Sequence, residues 1–162
     1  MSSFIRHRRS GLLVVIIAAT SLVCATPGQS AVSSVRGRFI GVWKLVSCER
    51  KANHGEVSYP YGEKPVGRLT YDKEGRMSAQ LMRPGRRSYK EDLLDILDGF
   101  IAYFGTYSIN ESARTVTHHV QACLFPMWVG TDLKRMYEFS GNRLILEAAS
   151  AEGVVRLVWE PD

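Results

Sequence analysis

Residues 66–82 read VGRLTYDKEGRMSAQLM, and this stretch decides the fold class. Two runs of alternating apolar and polar residues, Val66–Tyr71 and Arg76–Met82, flank the short polar segment 72–75 that ends in glycine. Alternation with a period of two is typical of a half-buried strand, and such a segment between two runs is typical of a hairpin turn. The stretch therefore predicts two antiparallel strands joined by a tight turn.

The same pattern continues outward in both directions along the chain. Runs with period-two alternation, separated by Gly, Asn, Asp and Pro, predict further strands at 39–49, 56–59, 100–109, 115–123, 131–139, 143–149 and 153–160. Consecutive short connections predict hairpins throughout. We therefore expect an all-β, antiparallel, up-and-down barrel of about eight or nine strands, because closing the sheet removes its exposed edges.

One segment departs from the strand pattern. Residues 88–98 carry apolar residues at helical spacing, Ser88 and Glu91 form a capping-box pattern, and Gly99 can end a helix. The segment predicts one short helix inserted between strands. Its apolar face would cover the mouth or the side of the barrel.

The N-terminus has the composition of a secretory signal peptide. Arg6, Arg8 and Arg9 precede an apolar run at 11–19, and small residues at 23–25 offer a cleavage point. The apolar run is shorter than the roughly 20 residues of a spanning helix. We expect a signal peptide at 1–25, a linker at 26–37, a barrel domain at 38–162, and a periplasmic or secreted protein. The alternative is a protein tethered to the membrane by the uncleaved segment.

The charge of the mature chain does not favour a nucleic-acid partner. The whole chain carries a net charge of +5, but three of its arginines belong to the leader and no acidic residue precedes Glu49. The mature chain carries only about +2, with both signs interspersed. The basic pI is therefore weak support for nucleic-acid binding, and we expect no such partner and no membrane span after leader cleavage.

Two cysteines remain in the mature chain, Cys48 and Cys123. In an oxidising compartment an even pair near strand ends predicts a disulfide, with two free buried thiols as the alternative. Strict alternation along the strand places Ala122 on the face of His118 and Cys123 on the face of His119.

His118 and His119 are adjacent in a predicted strand, so they cannot both point into the barrel. Between Val116 and Val120, His118 is predicted inward and His119 outward, although a polar row lining a wet cavity would invert this assignment. The remaining mature histidine, His54, lies in a loop. We therefore predict no metal site and no cofactor.

Arg135 is the unusual residue of the predicted strand 131–139. Lys134 and Glu138 belong outside, which puts Leu133, Arg135, Tyr137 and Phe139 on the inner face. A charge among apolar neighbours is costly unless it is paired. Arg135 is therefore either a ligand contact or half of a structural pair.

Short motifs resemble those of a known family. Gly41-Val42-Trp43 resembles the Gly-x-Trp signature of lipocalins and their calycin relatives, in which the Trp packs at the closed barrel end, often against an arginine of the last strand. Arg156 is the candidate by position. Further stretches are similar to those of the bacterial and fungal lipocalin-like domain family: Pro65-x-Gly67-Arg68-Leu69-x-Tyr71, Gly75-x-Met77-Ser78-Ala79-Gln80, Ala102-Tyr103-x-Gly105-Thr106-Tyr107, Val116-x-His118-His119-Val120 and Pro126-x-Trp128-x-Gly130-Thr131.

The resemblance runs from about residue 39 to residue 160 and implies a calycin barrel. Barrels of this kind include binders of small hydrophobic molecules and some cyclases or isomerases. Two features depart from the family pattern: the secretory leader, and Met127 at a position where asparagine is usual.

Three functional hypotheses follow. The first is a binding protein for one small apolar molecule, with a pocket lined by Tyr71, Met77, Tyr103, Tyr107, His118, Trp128, Arg135 and Tyr137. The second is a cofactor-independent isomerase or cyclase in which His118 acts as acid or base and Tyr103 donates a hydrogen bond. In the third, these side chains only fill the core.

Overall fold

The computed structural model describes residues 34–86 and 99–162. Within them the chain forms one short α-helix, nine strands and one 3₁₀ helix. In chain order these are α1 (Val35–Phe39), β1 (Gly41–Ala52), β2 (Val57–Ser58), β3 (Val66–Tyr71), β4 (Arg76–Met82), β5 (Phe100–Asn110), β6 (Thr115–Cys123), the 3₁₀ helix (Pro126–Trp128), β7 (Asp132–Ser140), β8 (Arg143–Ser150) and β9 (Gly153–Pro161).

The strands close into an antiparallel barrel. Each strand from β3 to β9 pairs with the next, and the long strand β1 pairs with both β3 and β9, which closes an eight-stranded ring. The two-residue strand β2 adds to β1 at Arg50 and Lys51 as a ninth strand. The prediction of an all-β, up-and-down barrel of eight or nine strands is confirmed.

Helix α1 closes one end of the barrel. Phe39 is fully buried, and its ring makes edge contacts with the rings of Tyr71, Tyr137 and Phe139. The indole N–H of Trp43 donates to the Phe39 carbonyl at 2.8 Å. The helix includes residues 35–37 of the predicted linker and Phe39, which was predicted to begin the first strand, because burial of Phe39 stabilises a helix too short to form alone.

The prediction that Arg156 is the last-strand arginine that packs against Trp43 is wrong. Because β9 runs antiparallel to β1, Trp43 lies opposite Pro161, whereas Arg156 lies opposite Glu49, further along the strand. Arg156 instead pairs with Glu147 at 3.3 Å on the outer wall. The arginine that contacts an aromatic ring at the closed end is instead Arg38 of α1, whose guanidinium lies 4.1 Å from the Phe139 ring centre. Gly41 has a φ of +142°, which suits the change from helix to strand at this point.

Two β-bulges change which side chains face inward. The register shifts in β1 between Leu45 and Ser47, which turns Cys48 and Arg50 toward the interior. In β6 it shifts beside Gly105, so that Cys123 lies opposite the inward Tyr103 and Ala122 lies opposite the exposed Phe104. Strict alternation therefore gave the wrong faces for Ala122 and Cys123, because a bulge inserts one extra residue.

The predicted disulfide does not form, and Cys48 and Cys123 are both free. Cys48 lies on β1 and Cys123 on β6, and these strands are separated by three others in either direction around the eight-stranded ring. They therefore face each other across the full width of the barrel. A disulfide requires Cα atoms within about 7 Å.

Three other predictions lie outside the described residues. These are the leader at 1–25, most of the linker, and the inserted helix at 88–98. In the part of the chain that the structure describes, no helix is both long enough and apolar enough to cross a bilayer.

Candidate functional site

A cavity of about 750 Å³ occupies the barrel above its packed closed end. Most of its wall is apolar and comes from inward positions of the strands: Leu69, Ala79, Leu81, Ile101, Leu133, Leu146, Val155, Leu157 and Trp159. Trp128 of the 3₁₀ helix also lines it, and its ring lies 6.5 Å from that of Tyr103. The site is therefore a mainly apolar container with aromatic side chains in its wall.

His118 lies at the cavity wall and is almost fully buried, with 1% of its surface exposed. Its Nε2 is 2.6 Å from the hydroxyl of Tyr71, and its Nδ1 is 2.9 Å from the hydroxyl of Tyr103. Burial, followed by the positive charge of Arg135 and of His119, holds the pKa of His118 well below its usual value. The imidazole is therefore neutral near pH 7.

Arg135 extends this hydrogen-bond chain. Its Nη2 donates to the Tyr103 hydroxyl at 3.5 Å, a long contact. A neutral imidazole has one donor and one acceptor nitrogen, so one of the two tyrosine hydroxyls donates to His118 and the other accepts from it. No carboxylate of the described chain forms an ion pair with Arg135, so the structural-pair alternative is not observed.

Of the eight side chains predicted to line the pocket, four do so: Tyr103, His118, Trp128 and Arg135. Tyr71, Met77, Tyr107 and Tyr137 are buried but do not line the cavity. Tyr71 is bonded to His118, and Tyr107 donates to the carbonyl of Asp72 at 2.8 Å in the β3–β4 turn. Tyr137 packs on Phe39 at the closed end. Alternation identified their inward faces correctly, but it carries no information on height along the barrel axis.

Sequence reasoning missed Arg50 and Tyr61, which also line the cavity. The sequence of β1 does contain a sign that Arg50 faces inward. Apolar residues occupy alternate positions at Trp43 and Leu45 and then move by one position to Val46 and Cys48, as expected at a bulge. Tyr61 comes from the β2–β3 connection, where periodicity gives no signal. Burial raises the pKa of the Tyr61 hydroxyl to about 12 and that of the Cys48 thiol to about 12.

His119 points outward, as predicted, and forms a polar cluster on the barrel exterior. Its Nε2 is 2.9 Å from Ser108 Oγ, and its Nδ1 is 2.6 Å from Asp132 Oδ1. The order of these atoms matches that of a hydrolase triad. However, the side chains of His119 and Asp132 are 40% and 66% exposed on an open sheet face, where water is not excluded. We assign the cluster to cross-strand stabilisation.

Residues 34–86 and 99–162 contain no cluster of three or more His, Cys, Asp or Glu side chains able to hold a metal ion. Both ring nitrogens of His118 are already hydrogen-bonded within the wall. The arrangement is therefore suited to enclosing an apolar molecule and presenting it with hydrogen-bond donors.

A family model and one curated relative match this chain. A family described as a lipocalin-like domain matches residues 40–160. The 4'-hydroxy-3'-methoxypropiophenone carrier protein ppsC of Aspergillus oryzae is 30% identical over 94 residues, which cover 49% of this chain and 83% of that protein. A crystal structure of a variant of the fluorescent protein UnaG aligns with a TM-score of 0.40 at 10% identity, over 77% of this chain and 96% of the other.

Proposed function

Because the chain belongs to the lipocalin-like domain family, we propose that it is a binding protein that carries one small, mainly apolar molecule inside its barrel. The observation that carries this proposal is the cavity of about 750 Å³ with its apolar and aromatic wall. That volume lies within the range of about 300–1,000 Å³ typical of small-molecule sites. One ligand of drug-like size would fill it.

The chemistry of the wall favours a ligand with an aromatic body. Trp128 and Tyr103 supply aromatic faces, and Leu81, Ile101 and Leu146 supply apolar contact. The relative from Aspergillus oryzae is named as a carrier of an aryl ketone that also bears a phenol group. A molecule of that class, an apolar aromatic ring with oxygen substituents, is our first candidate for this chain.

The proposal includes export. The basic and apolar leader motivates a periplasmic or secreted location for the carrier, or a membrane-tethered one if the leader stays attached. The mass of the protein recovered from cell fractions tests this part. A mature species that begins near residue 26 outside the cytoplasm would support export, and a full-length cytoplasmic species would contradict it.

The enzyme hypothesis remains a prediction that no observation favours. His118 would need one free nitrogen to exchange a proton with a substrate, yet both nitrogens contact tyrosine hydroxyls. Its lowered pKa also leaves it uncharged near pH 7, so it lacks the acidic imidazolium proton that a general acid would donate.

A fluorescence titration tests the carrier proposal. We expect the neutral dye N-phenyl-1-naphthylamine to bind with one-to-one stoichiometry and to be displaced by 4'-hydroxy-3'-methoxypropiophenone. Ala148 lines the cavity, so Ala148→Phe should fill part of it and weaken dye binding by tenfold or more, about 1.4 kcal/mol.

The matched control is Ala122→Phe, which adds the same ring on the outer wall beside Phe104. It should bind the dye as the wild type does. Equal affinities in the two variants, or no saturable binding by the wild type, would contradict an internal binding site.

A further inference from the structure

The polar groups of the cavity are biased toward hydrogen-bond donors. Arg135 lines the site, and its guanidinium makes one side-chain hydrogen bond within the described residues, the long contact to the Tyr103 hydroxyl. Trp159 is 1% exposed and lines the cavity, and its indole N–H has no acceptor among the described groups. The Nε of Arg50 is likewise buried without a partner. Buried donors without acceptors are rare in folded proteins and point to a missing partner.

The acceptors near the cavity are already engaged and lie at its rim. Asp132 is 66% exposed and bonded to His119 on the outer wall. Glu152 is 76% exposed and pairs with Nη1 of Arg50 at 3.4 Å. Neither carboxylate is buried among the lining groups. The charge of Arg50, whose side chain is 42% exposed, is therefore partly compensated at the cavity rim, whereas no carboxylate of the described residues pairs with Arg135.

The two guanidinium groups act on the same region of the cavity. Both Arg50 and Arg135 lower the pKa of the Cys48 thiol and that of the Tyr61 hydroxyl, although burial dominates and raises both. Both arginines, Cys48 and Tyr61 line the same cavity. The electrostatic potentials of the two cations therefore add within it.

We infer that the ligand of this cavity is an organic anion, in which an apolar or aromatic body carries one ionised oxygen group held by Arg135 and Arg50, with the Trp159 indole N–H as a further donor. The inference rests on the proposed carrier function and narrows it to one chemical class. A carboxylate, sulfonate or enolate oxygen would supply the acceptors that the wall lacks, and guanidinium groups bind such oxygens through two parallel hydrogen bonds.

Neutral His118 fits this assignment. Because Tyr71 and Tyr103 occupy both of its nitrogens, it neither competes with Arg135 for the anion nor adds a charge of its own. Its role is to hold the Tyr103 hydroxyl, and through it the position of Arg135.

Two dyes of nearly the same shape provide the test. 8-Anilino-1-naphthalenesulfonate is an anion, and N-phenyl-1-naphthylamine lacks its sulfonate. We expect the anionic dye to bind the wild type more tightly than the neutral one. Arg135→Met should weaken the anionic dye about 10- to 100-fold, as expected for loss of a charged hydrogen bond, and leave the neutral dye essentially unchanged. Arg50→Met should act in the same direction.

Arg156→Met is the matched control, because it removes an arginine from the outer wall. It should affect neither dye, which excludes surface binding of the sulfonate. If the wild type binds both dyes equally, or if Arg135→Met weakens both equally, the anion assignment is wrong while the carrier function stands. If neither dye binds the wild type in a saturable way, the carrier function and the anion assignment both fail.

Discussion

His118 and His119 are neighbours in sequence with opposite environments. His118 is sealed in the barrel wall between two tyrosine hydroxyls, whereas the side chain of His119 is 40% exposed and bonded to Asp132. The difference follows from the two-residue period of a strand, which sends adjacent side chains to opposite faces. Burial then decides the chemistry of His118, because desolvation disfavours its charged form.

The neutral state of His118 makes folding stability depend on pH. The pKa of His118 is lowered in the folded state, while the unfolded chain has its usual value of about 6.5. On acidification the unfolded state takes up a proton that the folded state does not, so stability is lost as pH falls below about 6.5. Between pH 6.5 and pH 5 we expect His118 to account for a progressive loss of stability, with an upper limit of about 1.7 kcal/mol set by protonation of the unfolded chain.

Urea unfolding of the wild type and of His118→Gln over this pH range measures that contribution. In the His118→Gln variant, the free energy of unfolding should fall less steeply as the pH is lowered. The His119→Gln variant should keep the pH dependence that His118 causes. The neighbours Tyr71 and Tyr103 do not titrate in this range, since burial raises their pKa values. Parallel pH profiles for the wild type and His118→Gln would show that His118 is not held neutral by the fold.

At the level of elements, the bulge in β6 depends on a glycine. A Cβ added at Gly105 would lie 1.9 Å from the carbonyl oxygen of His119, a backbone atom that cannot move away cheaply. The bulge presses the two strands together at this point, and it is also what turns Cys123 inward opposite Tyr103. The close approach explains why glycine occupies a position in the middle of a strand.

Gly105→Ala should therefore destabilise the barrel by about 3 kcal/mol or more, as expected for a steric clash in a well-packed region. Gly141→Ala is the comparison, because its Cβ would meet nothing within 4 Å and only its φ of +61° is unfavourable. It should cost about 1 kcal/mol. Chemical denaturation of both variants checks the ranking, and equal losses would contradict the close approach at Gly105.

Most strands could be predicted from the sequence because their periodicity is strong. The runs around residues 72–75 gave β3 and β4 with the bounds that the structure has. The bulges in β1 and β6 could not be placed in this way, because one extra residue reverses the faces beyond it. Helix α1 was also missed, since the five residues VRGRF include a central glycine and form a helix only through burial of Phe39.

For the candidate site, periodicity predicted which side chains face the barrel interior but not how far along the barrel axis they lie. It placed Tyr71, Tyr107 and Tyr137 inward, yet these side chains pack below the cavity. The hydrogen-bond chain through His118 joins residues from three strands that are distant in sequence. Such partners are fixed by strand register, which a single sequence does not specify.

On the scale of the whole molecule, the barrel is closed and packed at one end and hollow above it. Helix α1 and the aromatic side chains around Phe39 fill the closed end, while Trp128 and Trp159 line the cavity. The division of one interior into a packed part and a hollow part is the basis of the proposed carrier function. It also places the three tryptophans of the chain in distinct environments.

The most direct measurement is a nitrogen-15 correlation spectrum of the three indole N–H groups, recorded with and without a saturating ligand such as 8-anilino-1-naphthalenesulfonate. Trp43 is hydrogen-bonded to Phe39 at the closed end, whereas the indole N–H of Trp159 has no partner among the described groups. We predict that the signals of Trp159 and Trp128 shift on binding and that the signal of Trp43 stays in place. An unchanged Trp159 signal at saturation would contradict a ligand site inside the barrel.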